Sequence, residues 1–292
     1  MKLGLGAVQF GMGYGISNSE GQTPSEEVAK ILEVAHGRGI RMLDTAALYG
    51  ASEEVLGHYL PRFSDFMLVT KTPQFNKPLI EARDVEVLEQ TFKASLSKLG
   101  QPSVYGLLIH NADDLLAGNG RLLFESMANL REKGLVSKIG VSVYTAEQID
   151  HILARFAIDL IQLPISVLDQ RLIRSGHLAR LKDRGVEVHV RSVFLQGLLL
   201  MEPDNLPPYF EQIRPHLKRY RQAISSHGLS PIKAALSFVT GLAEVDVALV
   251  GVNNHRQLLE ILAQTEDVPQ FDSFGEFAID DVAIVNPANW KG

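Results

Sequence analysis

The sequence contains no cysteine and only one tryptophan among its 292 residues. The lack of cysteine excludes disulfide bonds, thiol nucleophiles and zinc or iron–sulfur sites with cysteine ligands. We predict that the protein holds no metal. A chain without cysteine also fits a reducing compartment, and we expect a cytoplasmic location.

Long apolar runs and clusters of one charge are also missing. No apolar stretch approaches the ~18 residues that a membrane-spanning helix needs. The 28 Lys and Arg against 34 Asp and Glu give a formal net charge of -6, without a long run of either sign. A nucleic-acid binder usually concentrates positive charge on one face. We therefore expect neither a membrane nor a nucleic acid as a partner.

Short apolar runs alternate with segments of helical period along the whole chain. Consecutive Val, Ile and Leu in these runs are typical of strands that a parallel sheet buries on both faces. The predicted strands are Leu3–Phe10, Met42–Ala46, Phe66–Lys71, Tyr105–His110, Ser137–Val143, Asp159–Ile165, Glu187–Val193 and Asp246–Val250.

The segments between the strands carry signals that start helices. Thr23-Pro24-Ser25-Glu26 and Thr145-Ala146-Glu147-Gln148 each match a capping box, and Ser230-Pro231 opens another helix. Eight strands that alternate with helices predict an α/β fold, a (β/α)8 TIM barrel in a single domain. A helical excursion at about 198–228 and a tail at about 265–292 are expected to extend this barrel.

An open, doubly wound sheet is the alternative architecture. Such a fold often carries a glycine-rich turn after its first strand, and Gly11-Met12-Gly13-Tyr14-Gly15 stands at that place. Its spacing is not G-x-G-x-x-G, and it leads into a polar loop instead of a helix. The barrel is therefore favoured.

Polar side chains end three consecutive predicted strands. Asp44, Lys71 and His110 end strands two, three and four, and Tyr49 follows Asp44 closely. Function in such barrels lies at the carboxyl ends of strands, which run ~5 Å apart, so we expect the four groups to converge. Asp44 would keep Lys71 charged, and the ammonium would lower the pKa of the proton donor Tyr49. His110 would orient the same substrate oxygen.

Each of these residues also has a purely structural interpretation. An aspartate at a strand end commonly caps a turn, a lysine after a strand is often solvated, and a histidine or tyrosine can pack in the core. The joint placement at matching ends of neighbouring strands favours one site over four separate explanations.

The chain resembles the aldo-keto reductase superfamily over nearly its whole length. Leu43-Asp44-Thr45-Ala46-Ala47-Leu48-Tyr49-Gly50 is similar to the signature of that family, and Val69-Thr70-Lys71 and Leu108-Ile109-His110 to its lysine and histidine motifs. The resemblance continues through Gly140-Val141-Ser142, Ile161-Gln162-Leu163-Pro164 and Gln196-Gly197-Leu198-Leu199. It implies a TIM barrel that reduces an aldehyde or ketone, sugar-derived carbonyls included. Tyr49 would be the general acid, assisted by Lys71, Asp44 and His110.

The same resemblance implies a nicotinamide cofactor, usually NADPH. Ser142 and Gln162 would hold its carboxamide, and Arg191 stands where relatives often stack an aromatic residue on the nicotinamide ring. The residues implied along the pyrophosphate are Phe194, Gln196 and Gly197, and those implied at the adenosine phosphate are Gly251, Asn253, Asn254 and Gln257.

The expected basic residue for the 2′-phosphate of NADPH is not clearly present. Gln257 occupies one position where many relatives carry that residue. Either Arg256 or His255 takes over this role, or both are solvated. We expect NADPH as the cofactor and leave NADH open.

Substrate contacts are predicted at Phe10, Met12 and Tyr14, and at Trp290 in the tail. The expected partner is a small-molecule carbonyl compound. Two other functions stay open, a barrel that binds NADPH for regulation without turnover, and an aldolase with Lys71 as a Schiff base. The second requires a lysine with a depressed pKa, which Asp44 opposes.

Overall fold

Eight parallel strands follow one another around a closed barrel in the order of the sequence. The computed structural model describes residues 2–63, 65–265 and 270–290. The strands are β1 Leu3–Gly6, β2 Met42–Asp44, β3 Met67–Lys71, β4 Val104–Ile109, β5 Val136–Ser142, β6 Leu160–Pro164, β7 Glu187–Arg191 and β8 Val247–Gly251. Strand β1 pairs with β8 as well as with β2, which closes the sheet. The predicted single-domain TIM barrel is confirmed, and the open sheet is excluded.

Helices surround the barrel and account for the two predicted additions. They are α1 Val8–Gly11, α2 Ser25–Gly37, α3 Ser52–Tyr59, α4 Ala82–Leu99, α5 Ala112–Leu116, α6 Arg121–Glu132, α7 Ala146–Leu153, α8 Arg171–Arg174, α9 His177–Asp183, α10 Arg214–Ser226, α11 Pro231–Gly241, α12 His255–Ala263 and α13 Val282–Val285. The excursion after β7 holds 3-10 turns and α10, and the tail holds α13 between two 3-10 turns. Residues 266–269 and 291–292 of the predicted tail lie outside the described residues.

The described ranges contain no helix that is both long and apolar enough to cross a membrane.

Residues of each strand alternate between the helical layer and the barrel interior, because successive side chains of a strand point to opposite faces. The main core packs between strands and helices and includes Leu43, Leu107 and Val188. A second cluster fills the interior with Met42, Val69, Leu108, Leu160 and Leu249. The inward positions two residues further along these strands are therefore aimed at the carboxyl mouth of the barrel.

The first predicted strand ends earlier than expected. Strand β1 stops at Gly6, and the chain then turns into the short helix α1. Gly11 at the end of α1 lies so close to the next loop that a Cβ atom there would come within 1.8 Å of the carbonyl oxygen of Tyr49. This helix turns Phe10 into the core, where it is fully buried.

All three predicted helices are present, and side-chain caps are confirmed at two of their starts. The Thr145 hydroxyl accepts a hydrogen bond from the N–H of Gln148, and the Ser230 hydroxyl accepts one from the N–H of Lys233. The capping box at Thr23 was wrong. Pro24 holds the cap position of α2 without a side-chain hydrogen bond, and the buried Thr23 hydroxyl has no partner among the described residues.

Three glycines leave space inside the barrel for neighbouring strands. A Cβ atom on Gly4 would lie 2.7 Å from Val247, and one on Gly106 would lie 3.0 Å from Leu160. At Gly140 it would lie 1.7 Å from the carbonyl oxygen of Leu160. The interior is therefore packed so tightly that it has no room for further atoms at these positions.

We expect Gly57→Ala to destabilise the barrel, because the new methyl group would lie 1.9 Å from the carbonyl oxygen of Lys98, where α3 crosses α4. Overpacking of this kind typically lowers the free energy of unfolding by about 1–3 kcal/mol. Gly37→Ala in α2 is the matched control, since nothing lies within 4 Å of the added atom. Urea unfolding of both variants tests this. Equal stability of Gly57→Ala and the wild type would contradict the close crossing.

Candidate active site

A buried ion pair lies at the carboxyl mouth of the barrel. The Lys71 ammonium donates hydrogen bonds to both carboxylate oxygens of Asp44 and to the carbonyl oxygen of Thr45, each at 2.8 Å. The amide of Gln162 donates a further bond of 2.7 Å to Asp44. Asp44, Lys71 and Gln162 continue the inward rows that begin with Met42, Val69 and Leu160. The strand pattern thus brings a cation and an anion together inside the barrel.

Tyr49 and His110 lie directly beside this ion pair. Their rings meet edge to face with 5.8 Å between centroids, and the Lys71 nitrogen lies 4.9 Å from the centre of the Tyr49 ring. The four residues predicted to converge are therefore in one place. The Nδ1 atom of His110 is buried and has no hydrogen-bond partner among the described residues. One ring nitrogen of His110 is thus not engaged by the neighbouring side chains.

The pKa of Tyr49 is raised, whereas the sequence predicted a lowered one. Burial is the main cause, and the negative charge of Asp44 adds to it. Arg191 acts in the opposite direction, without reversing the shift. The prediction was wrong because the Lys71 charge is offset by the carboxylate to which it is bonded. Tyr49 therefore keeps its phenolic proton throughout the neutral range.

Burial also lowers the pKa of His110, to about 4, and the positive charge of Lys71 lowers it further. The imidazole is therefore neutral at pH 7. Burial lowers the pKa of Lys71 as well, while Asp44 counteracts this effect.

The four groups lie at a cavity of about 860 Å³, which Tyr49, His110 and Asp44 line directly. Lys71 lies behind Asp44 and does not line it. At one side, called the catalytic end here, the wall consists of Tyr14, Tyr49, Gln74, His110, Asn111 and Tyr144. At the other side, called the α12 end, it consists of Ser230, Pro231, Asn253, Gln257, Glu260 and Gln264. The cavity is thus long enough to connect the barrel mouth with α12.

The loop after β7 forms the wall between the two ends and has an unusual backbone. Ser192, Leu195 and Gln196 have φ angles of 64°, 47° and 52°, in the left-handed region, and Gly197 has 96°. Backbone strain of this kind often accompanies functional sites. No hydrogen bond among the described residues uses the backbone N–H of Val193 or Phe194, although both residues line the cavity. Two free donors here suit an anionic group.

The loop after β1 closes over this strained turn. The amide of Gln196 donates to the hydroxyl of Tyr14 at 3.0 Å. A Cβ atom on Gly197 would lie 1.9 Å from the Ser17 hydroxyl oxygen, so only glycine permits this approach. The loops after β1 and β7 therefore meet across the cavity.

Arg191 stands at the end of β7 and stacks on Tyr144. Its guanidinium carbon lies 4.0 Å from the centre of the Tyr144 ring, and it donates a hydrogen bond of 3.0 Å to the carbonyl oxygen of Val143. No carboxylate of the described residues forms an ion pair with Arg191. The cavity wall thus contains a planar cation on an aromatic ring.

Most of the predicted cofactor residues line the cavity. They are Ser142, Gln162, Arg191, Phe194, Gln196, Gly197, Gly251, Asn253 and Gln257. Asn254 does not, because its side chain accepts a hydrogen bond from the N–H of Gln257 and caps α12. We therefore correct its assignment from a cofactor contact to a helix cap.

Only Tyr14 of the four predicted substrate residues lines the cavity. Phe10 is a core residue, and Met12 is exposed outside the cavity wall. Trp290 packs on Phe210 and donates to the carbonyl oxygen of Ile284 at 3.0 Å. The assignments of Phe10 and Trp290 are corrected, since α1 turns Phe10 inwards and the tail tryptophan packs on the excursion after β7. The substrate contact of Met12 stays a prediction.

Sequence reasoning missed several residues of the wall, among them Gln9, Gln74, Tyr144 and Glu260. Gln74 and Tyr144 follow the ends of β3 and β5, so the rule that located Lys71 and Ser142 could have found them. Gln9 was counted as part of the first strand. Its buried Oε1 atom has no hydrogen-bond partner among the described residues, and its side chain lies against Gly251.

Residues 2–276 of the chain match the sequence model of the Aldo/keto reductase family. The chain belongs to this family. Aldo-keto reductase YhdN of Bacillus subtilis is 26% identical over 287 residues, with 87% of this chain and 84% of that protein covered. A D-threo-aldose 1-dehydrogenase of a Pseudomonas species is 24% identical over 291 residues, covering 85% of this chain and 87% of that protein.

Solved aldo-keto reductases share the fold. The holo form of an aldo-keto reductase from Bacillus halodurans has a TM-score of 0.77 at 22% identity, with 99% of this chain and 95% of that chain covered. A glycerol dehydrogenase from Gluconobacter oxydans has a TM-score of 0.72 at 19% identity, with 98% and 92% covered. As an aldo-keto reductase, this chain is an oxidoreductase that acts on small-molecule carbonyl compounds with a nicotinamide cofactor.

The cavity fits the cofactor that the family implies. The free N–H groups of Val193 and Phe194 suit a pyrophosphate, and the unpartnered Oε1 of Gln9 is a ready acceptor for a hydroxyl group. A Cβ atom on Gly251 would fall within 2.5 Å of the Gln9 amide, so glycine leaves this part of the wall open.

We expect the His110 imidazole to stay neutral down to about pH 5, with a pKa of about 4. The unfolded imidazole titrates near ~6.5, so the unfolded state binds more protons between these values. The free energy of unfolding should therefore fall as the pH falls from 6.5 to 4, and less so in His110→Gln. NMR titration of the histidine rings, with His110 assigned by comparison with His110→Gln, measures the pKa. A value near 6.5 would contradict the burial effect.

Proposed function

We propose that this aldo-keto reductase reduces an aldehyde or ketone to an alcohol, with Tyr49 as the general acid. The observation that carries the proposal is the Tyr49–His110 pair in the cavity wall, backed by the buried Asp44–Lys71 ion pair. The four groups occupy the carboxyl mouth of the barrel, where the chemistry of such folds takes place.

The phenol of Tyr49 is a suitable proton donor at neutral pH. When bound, a nicotinamide cofactor supplies the hydride that reaches the carbonyl carbon. Tyr49 gives its proton to the carbonyl oxygen, and the product is the alcohol. The phenolate left behind lies beside the Lys71 ammonium, which is 4.9 Å from the ring centre but paired with Asp44. Arg191 is the cation that lowers the pKa of Tyr49 and so favours the phenolate.

Neutral His110 is suited to orient the carbonyl oxygen. Because its pKa is about 4, the ring carries one N–H donor at pH 7 and does not compete with Tyr49 as an acid. A donor beside the phenol directs the oxygen lone pair to the Tyr49 proton. We assign His110 a role in orientation and Tyr49 the role of the acid.

The contacts of Lys71 disfavour a Schiff-base aldolase. Its ammonium group donates to three acceptors at 2.8 Å, and the side chain is buried behind Asp44 outside the cavity wall. A carbonyl compound therefore has no path to the nitrogen lone pair that such a mechanism needs.

The nicotinamide ring is assigned to the space between Arg191 and the Tyr49–His110 pair. Ser142 and Gln162 face each other across β5 and β6, and both line the cavity. The amide of Gln162 is held by Asp44, so the carboxamide site is joined to the ion pair. The planar guanidinium of Arg191, fixed on Tyr144, can stack on the ring as an aromatic residue would.

Hydrogen-bonding groups at the catalytic end favour a substrate with hydroxyl groups. Within the described residues, neither the Gln74 amide nor the Tyr144 hydroxyl has a side-chain hydrogen bond, and both line the cavity. Gln74 is exposed and Tyr144 half-buried, so a ligand with hydroxyl groups can form hydrogen bonds to them in place of solvent. We therefore propose a sugar-derived aldehyde or ketone as the substrate class, which agrees with the aldose named for the Pseudomonas relative.

We expect Tyr49→Phe to lower the turnover of a carbonyl substrate by about 10²–10⁴-fold, because the general acid is lost. Cofactor binding should stay unchanged. Turnover is followed by the absorbance of the reduced cofactor with a panel of aldoses and simple aldehydes, and binding by fluorescence titration.

Tyr59→Phe is the matched control, since its hydroxyl bonds Ser25 at 3.0 Å and lies outside the cavity wall. It should keep wild-type turnover. Cofactor binding without turnover on the whole panel, already in the wild type, would favour the regulatory barrel. Wild-type rates in Tyr49→Phe would refute the role of Tyr49.

A further inference from the structure

We propose that the α12 end of the cavity selects NADH over NADPH. The inference rests on the proposed binding of the cofactor along this cavity. NADPH differs from NADH by a phosphate on the 2′-oxygen of the adenosine ribose. The residues at the amino end of α12 disfavour the binding of such a phosphate. This is contrary to the NADPH expected from the family resemblance.

Three of the backbone N–H groups that could bind a phosphate at this helix end are already engaged. The N–H of Asn253 donates to the Gln257 side chain at 2.8 Å, and the N–H of Gln257 donates to Asn254 at 3.0 Å. The N–H of His255 donates to the carboxylate of Glu27 at 2.9 Å. A helix amino end attracts phosphate through its free N–H groups, and these three are not free.

Glu27 reaches this helix end from α2 and brings a fixed negative charge. Hydrogen bonds from His255 lower the pKa of Glu27 to about 2, so it is a carboxylate at every neutral pH. The imidazole of His255 also contacts Glu27 and is turned towards it. The His255 side chain is therefore bonded to the Glu27 carboxylate and does not line the cavity.

A second carboxylate lies one turn further along α12. Glu260 lines the cavity together with Gln257 and Gln264 on the same face of the helix. A ribose 2′-hydroxyl can donate a hydrogen bond to such a carboxylate, whereas a 2′-phosphate is repelled by it. Glu260 therefore places a negative charge in the wall of the α12 end, and Glu27 places a second one behind this wall, at the N–H of His255.

The cations near this end of the cavity are either exposed to solvent or already bonded to protein groups. Arg256 is exposed, and within the described ranges it neither lines the cavity nor forms an ion pair. Lys30 is bonded to Glu27 at 3.1 Å. Arg221 lines the cavity but donates to the carbonyl oxygens of Leu200 and Met201 at 3.0 and 2.8 Å. Neither Arg256 nor His255 thus takes over the role of the missing basic residue.

The test compares the binding of ADP-ribose and 2′-phospho-ADP-ribose, which lack the nicotinamide ring, by calorimetry. Binding of NADH and NADPH is measured by fluorescence. We expect the wild type to bind the non-phosphorylated member of each pair about fivefold more tightly, since one nearby like charge contributes ~1 kcal/mol in water. Raising the salt concentration should narrow the difference, because screening weakens the repulsion.

Three variants locate the effect. Glu27→Gln should tighten the binding of 2′-phospho-ADP-ribose several-fold and change that of ADP-ribose little. Gln257→Arg should shift the ratio of the two affinities several-fold towards 2′-phospho-ADP-ribose. Glu26→Gln is the matched control, because it removes the same charge from an exposed neighbour in α2, and it should leave the ratio unchanged. Gln257→Arg keeps the test decisive if Glu27→Gln fails to fold.

The outcomes separate this inference from the proposed function. Equal or tighter binding of the phosphorylated ligands by the wild type would overturn the inference and leave the reductase intact. Arg256→Ala would then show whether the exposed arginine supplies the contact. Binding of neither coenzyme would instead refute the cofactor site itself.

Discussion

The ion pair of Asp44 and Lys71 is the interaction on which the arrangement of the site depends. Two charges buried inside a barrel are unfavourable unless each is bonded to a partner. Here the ammonium has three acceptors, and the carboxylate has an additional donor in Gln162. Removing either partner would leave an uncompensated charge, so these side chains are held in one geometry. Tyr49 and His110 therefore pack against an ion pair of fixed geometry.

The same pair sets the protonation of its neighbours. It places a carboxylate near Tyr49 and an ammonium near His110, and burial acts on both rings. At neutral pH the phenol therefore keeps its proton. The imidazolium form of His110 has already lost its extra proton at that pH, because its pKa lies well below 7. The pKa values of these two neighbouring groups are thus shifted in opposite directions. Tyr49 stays protonated and can act as an acid, and His110 is a neutral hydrogen-bond donor.

The barrel and the mouth of the site could be predicted from the sequence because strands leave a strong pattern. Asp44 and Lys71 end buried runs, and His110 follows one, so the parallel order places them at one rim. Loop residues leave no such pattern. The sequence did not indicate that α1 turns Phe10 inwards or that Trp290 packs on Phe210. The pKa of Tyr49 was wrong in direction because burial depends on the folded surroundings, which sequence neighbours do not show.

The glycines inside the barrel have a consequence for how this enzyme can change. A side chain at Gly4, Gly106 or Gly140 would collide with a neighbouring strand, so the interior beneath the site tolerates little variation. The loops that carry Gln74 and Tyr144, and the face of α12 that carries Glu260, are not constrained in this way. Substitutions that change the substrate or coenzyme preference are therefore accommodated at the rim more readily than in the barrel below it.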